Sequence, residues 1–140
     1  MNAQWVNASK TIIRFSLDRG WSWDDLQGVL DRTEHFAELN AGRVDAIVDV
    51  SDVDSARPAE MLTLSAIETA RQFARRSGGL SYEVVIVGAS TTFKAVFQTH
   101  QMACMNGQSN VQFASSLEQA RAQLQNDQLR DIVWRACSPA

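Results

Sequence analysis

"VDAIVDVSDVDSARP", residues 44–58, is the stretch on which the fold turns. Its first half alternates. Val44, Ala46, Val48 and Val50 fall on one side and Asp45, Ile47 and Asp49 on the other, the period-two spacing of a β-strand. Its second half breaks into aspartates and serines and closes on Pro58, whose fixed φ suits the first turn of a helix. A strand that passes through a polar turn into a helix is half of a β-α-β unit. The early aspartate predicts a strand only half buried near its beginning.

Upstream, "TIIRFSL" (11–17) alternates in the same way, with Ile13, Phe15 and Leu17 opposite Ile12, Arg14 and Ser16. "AQWV" (3–6) can pair with it through the turn residues of "NASK", so the chain is expected to open on a hairpin. Ser22 suits a helix N-cap, with Asp24 and Asp25 in the first turn. Leu26, Val29, Leu30, Thr33, Phe36, Ala37 and Leu39 then follow at helical spacing, and Gly42 is expected to end the helix.

Downstream of Pro58, Met61, Leu64, Ile67, Phe73 and Ala74 form the apolar face of a second helix that stops at Gly78-Gly79. "YEVVIVGAS" (82–90) is the most apolar strand and reads as central, and Phe93, Val96, Phe97, His100 and Cys104 share a stripe on the helix after it. "NVQFA" is a short strand, and Ser115 with Glu118 has capping-box spacing for a last helix that runs to Trp134. The order β(β)αβαβαβα predicts an α/β fold: one domain over 1–140 with a mixed sheet and right-handed crossovers. Its core spans about 11–125, followed by a helical extension over 126–136.

The 140 residues, 45% hydrophobic and 21% charged, are ordinary for one globular domain. The net charge of −3 argues against a nucleic-acid protein, which needs a basic patch to neutralise phosphates. No apolar run approaches the ~20 residues that span a bilayer. No secretory signal is visible, and Cys104 and Cys137 read as free thiols, so a cytoplasmic, soluble chain is expected.

The aspartate-rich turn invites a metal reading. A calcium loop that begins at Asp49 would place Ser51 third and Glu60 twelfth, but Val53 stands fifth and Asp54 sixth, where glycine is required. No metal or other cofactor is expected. "VGASTTF" has the strand–turn–helix setting of a nucleophile elbow around Ser90, yet Thr92 fills the second glycine's place. His35 and His100 are the only histidines. His35 sits on a helix flank and His100 on an apolar stripe, so no catalytic residue is assigned. Trp21 and Trp23 flank Ser22 at a strand-to-helix junction. With Phe97 and His100 they read either as the lining of an apolar pocket or as lids on the core.

"AIVDVSDVDSA" (46–56) resembles the signature of STAS domains, the fold of sulphate-transporter C-termini and anti-sigma-factor antagonists. In that family an apolar strand ends in D-x-S-x-V, and a short loop leads to D-S-S-G at a helix start. Asp49, Val50, Ser51, Asp52 and Val53 match the first part, and Asp54 and Ser55 match the D-S of the second after a shorter loop. "VVIVGAS" and "VQFASSLEQARAQL" resemble the family's later strands and last helix. The chain also looks like relatives of the sporulation antagonist that keep the fold without its switch.

The antagonists take a phosphate on the second serine of D-S-S-G. Here Ala56, Arg57 and Pro58 follow Ser55, so the matching hydroxyl is absent and Ser55 stands one residue early. A phosphate on Ser55 would add nearly two negative charges beside Asp52 and Asp54, partly offset by Arg57 and the helix N-terminus. The resemblance implies a non-enzymatic regulatory or interaction module. It would meet a protein partner, or a copy of itself, around Ser51, Asp52, Asp54, Ser55 and Arg57 and along the helix that follows. The alternative is a carrier of a small apolar ligand or lipid, held between sheet and helices.

Overall fold

The computed structural model describes residues 1–18, 20–51, 64–105 and 110–137; for residues 92, 100–105 and 130–137 only the backbone is described. Five strands form one sheet in the order β1-β2-β3-β4-β5. They are β1 (Asn2–Trp5), β2 (Ile12–Ser16), β3 (Asp45–Asp49), β4 (Val84–Val87) and β5 (Val111–Ala114). β1 and β2 are the antiparallel hairpin, and β2 to β5 are parallel throughout. The helices among the described residues are α1 (Trp23–Asn40), α2 (Leu64–Ser77), α3 (Thr91–Met105) and α4 (Leu117–Cys137). The α/β fold and the element order are those expected from the sequence.

Because each parallel strand lies beside the one before it, every crossover steps in one direction. Crossovers of one hand then put their helices on one face of the sheet. Trp23, Leu26, Val29 and Leu30 of α1, Ala70, Phe73 and Ala74 of α2, and Phe93 and Phe97 of α3 share a core with Ile13, Phe15, Ala46, Val48, Val84 and Ile86. α4, which follows β5, folds over the opposite face. There Ala120 and Leu124 close a smaller core with Ile12, Ile47, Val85, Val87 and Ala114.

Several local expectations are corrected. β3 is buried from its first residue, and Asp45 is 0% exposed. Its carboxylate accepts from Arg43 Nε at 2.9 Å, from the Glu83 amide at 2.8 Å and from Gln128 Nε2 at 2.7 Å, which satisfies a charge that could not otherwise enter the core. α1 ends at Asn40 with Ala41, not Gly42, in the left-handed conformation, and the Gly42 amide donates back to the Ala37 carbonyl. Leu39 and Leu64, assigned to apolar helix faces, are exposed. The cap of α4 is Ser116, whose Oγ accepts from the Gln119 amide, rather than Ser115 with Glu118. Pro58 and Met61 lie outside the described residues.

Candidate functional site

The parallel strands all end at one rim, where β2 runs into Leu17 and Asp18, β3 into Val50 and Ser51, and β4 into Gly88 and Ala89. Backbone bonds carry the pairing past the strand ends. The Leu17 amide donates to Asp49 O, Val50 to Val87 O and Gly88 to Ala114 O. Ser51 therefore leaves the sheet from a fixed platform.

The centre of the rim is Asp49, 8% exposed on the face that α4 shares. Arg14 Nη2 reaches it from β2 at 2.5 Å. The Ser51 amide donates to Oδ1 at 3.0 Å and the Ser51 hydroxyl to the same atom at 2.5 Å. Burial alone would raise the Asp49 carboxyl. The Ser51 hydroxyl and amide, and then Arg14, outweigh it and hold the group below its ordinary value. The corner is thus an ionised carboxylate wrapped by donors. Arg14 completes its own pairing only partly, since its Nε is buried without a partner among the described residues.

Gly88 makes this corner sterically possible. Its φ is +80°, and a Cβ placed there would lie 2.6 Å from both Cα and Cβ of Ser51. Only a glycine allows β4 to turn away while the Ser51 backbone rests against it. Two residues on, the Ser90 hydroxyl accepts from the Phe93 amide at 3.1 Å and caps α3, so this serine has a structural partner.

Behind the rim, Trp21 and Trp23 pack on the first turn of α3. Trp23 stacks on Phe93 with centroids 4.7 Å apart, Trp21 meets the same ring edge-on at 5.1 Å, and Phe97 joins through Phe73 and Phe113. Trp21, Trp23, Phe73, Phe93 and Phe97 are fully or almost fully buried, and Phe113 is partly buried. Among the described residues, neither buried indole N–H group has an acceptor.

Of the residues singled out in the sequence, the structure brings Ser51 to the rim and Trp21, Trp23 and Phe97 together behind it. Asp52, Asp54, Ser55 and Arg57 lie outside the described residues, as do the side chains of His100 and of the cysteines. His35 is exposed. Arg14 and Gly88 had not been assigned to the site. A lone arginine in an apolar strand was the visible signal for the first, and a glycine at a strand end for the second.

Among the described residues, no group of three His, Cys, Asp or Glu side chains could hold a metal ion, and no helix is long and apolar enough to cross a membrane. No family model matches the chain, and no curated protein or solved structure does.

Proposed function

We propose that this chain is a non-enzymatic, STAS-like regulatory or protein-interaction module that meets a protein partner, or a second copy of itself, across the carboxyl rim. The observation that carries the reading is Leu64, 88% exposed at the start of α2. α2 starts on the rim side and ends at the opposite edge, where the Asn110 amide donates to Ser77 O just before β5. An exposed aliphatic side chain at the same end of the sheet as a rigid polar corner fits an interface anchor with a polar surround.

Ser51 is poorly suited to carry a phosphate, because its hydroxyl is committed to Asp49 and a phosphate would face that carboxylate. Ser55 is the switch residue in this reading.

The test mixes the purified chain with an ATP-dependent kinase encoded beside its gene. Light scattering follows complex formation and mass spectrometry follows phosphoserine. A complex weakened about tenfold or more by Leu64→Asp, with unfolding unchanged, supports the interface. Phosphate on Ser55 supports the switch. Monodisperse, unmodified protein in every mixture counts against both.

The two buried indole donors favour a second reading, a carrier whose apolar ligand brings a carbonyl or carboxylate to Trp21 and Trp23. Native mass spectrometry without a co-purifying ligand, together with tryptophan fluorescence unmoved by fatty acids, would remove it.

A further inference from the structure

The surface beneath α4 is divided between two kinds of contact. Leu117, Ala120 and Leu124 meet the second core. The same side of the helix also carries Gln123, Asp127 and Gln128, none of them exposed. Full burial of an aliphatic side chain contributes about 1.5–3 kcal/mol, so each of the described apolar contacts of α4 adds only a modest amount. The polar half can therefore decide how firmly the helix docks.

Gln128 is fully used. Its Nε2 donates to Asp45 Oδ2 at 2.7 Å and to Thr11 O at 3.1 Å, and its Oε1 accepts from the Thr11 hydroxyl at 3.1 Å. Glu83 is not. It sits at the start of β4 with Oε2 buried and, among the described residues, without a donor, and Gln123 Oε1 on α4 is buried in the same unsatisfied way. Among the described residues, three charged groups act on Glu83: Asp127 from α4, and Asp45 and Arg43 at the start of β3. Two of the three repel a carboxylate, and the cation is already engaged by Asp45 at 2.9 Å. A buried carboxylate oxygen without a donor costs much more ionised than protonated.

We propose that Glu83 is a proton-controlled latch for α4. With a neutral carboxyl the helix lies on the sheet. With an ionised one the helix loosens and uncovers the apolar strip of Ile12, Ile47, Val85 and Val87. Burial first, then Asp127 and Asp45, raise the Glu83 carboxyl above its ordinary value of 4.5, against the pull of Arg43. A folded pKa above the unfolded one stabilises docking below the ordinary value, and that stabilisation is lost as pH rises through the folded value. Docking is thus tightest in acid and loosest on the alkaline side.

Hydrogen exchange on the full chain, corrected for intrinsic rates, tests this at about pH 5 and about pH 8, with α1 as the internal reference. Protection of residues 117–129 should fall with pH relative to α1. The drop should be about tenfold for each unit by which the folded pKa exceeds the ordinary one. Glu83→Gln should show acid-like protection at both values, and Asp127→Asn should narrow the difference. Flat protection in the unsubstituted chain overturns the latch, as does a pH response that survives in Glu83→Gln. If Glu83→Gln loses protection in α1 as well, Asp127→Asn decides: an unchanged pH response there overturns the proposal.

Discussion

Gly88 supports a prediction that separates backbone strain from steric collision. Three glycines form a graded series. Gly28 lies within α1 with nothing within 4 Å of an added Cβ; Gly20 has φ +80° and the same open space; Gly88 has φ +80° and a Cβ position 2.6 Å from Ser51. Gly28→Ala should stabilise by about 0.5–1 kcal/mol, because alanine loses less backbone entropy in a helix. Gly20→Ala should cost about 1–2 kcal/mol, the left-handed conformation alone. Gly88→Ala should cost that amount plus about 1–3 kcal/mol for displacing a backbone atom. Its total is therefore about 2–5 kcal/mol.

Urea unfolding measures all three, provided the slopes agree. In a chain of this size each kcal/mol moves the thermal midpoint by about 3 °C, so Gly88→Ala should melt about 6–15 °C lower. It should also weaken any rim partner, since the atoms forced to move are the Ser51 backbone atoms that donate to Asp49. A Gly88→Ala variant no less stable than Gly20→Ala would refute the reasoning, because the close approach of Ser51 to β4 would then add nothing.

Two further substitutions probe the polar nodes. Asp49→Asn removes a carboxylate held below its ordinary value, which contributes stability above the unfolded pKa and loses it as pH falls through the folded one. Melting between about pH 2 and about pH 6 should accordingly show a shallower acid decline in Asp49→Asn than in the unsubstituted chain. Gln128→Ala strips donors from the buried Asp45 and from the Thr11 carbonyl, for a loss of about 1–3 kcal/mol in urea unfolding. Its hydrogen exchange should quicken in α4 before α1.

The sequence disclosed the elements because each strand and helix writes its burial into local spacing. Val44, Ala46, Val48 and Val50 alternate in the chain and all enter the main core, while Ile47 enters the second. What failed were residues whose surroundings come from far along the chain. Asp45 looked like a sign of exposure, yet it is enclosed because Gln128, 83 positions later, donates to it. Leu39 and Leu64 continue an apolar stripe by spacing but stand at helix ends, beyond the sheet that would cover them.

The centre of the rim shows how little information was missing. Arg14 and Asp49 share a parity in their own strands, so each was placed on the right face of its strand from local spacing alone. Their meeting depends on the β2–β3 register, in which Arg14 lies beside Ile47 and Ser16 beside Asp49. With that offset the two charges become diagonal neighbours on one face, within reach of a long side chain. Slide β2 by one residue and Arg14 would turn into the main core while Ile13 and Phe15 left it, at a cost of several kcal/mol. The apolar residues of β2 therefore set the register, and the register, through no local preference of arginine or aspartate, builds the charged corner at which the chain leaves β3.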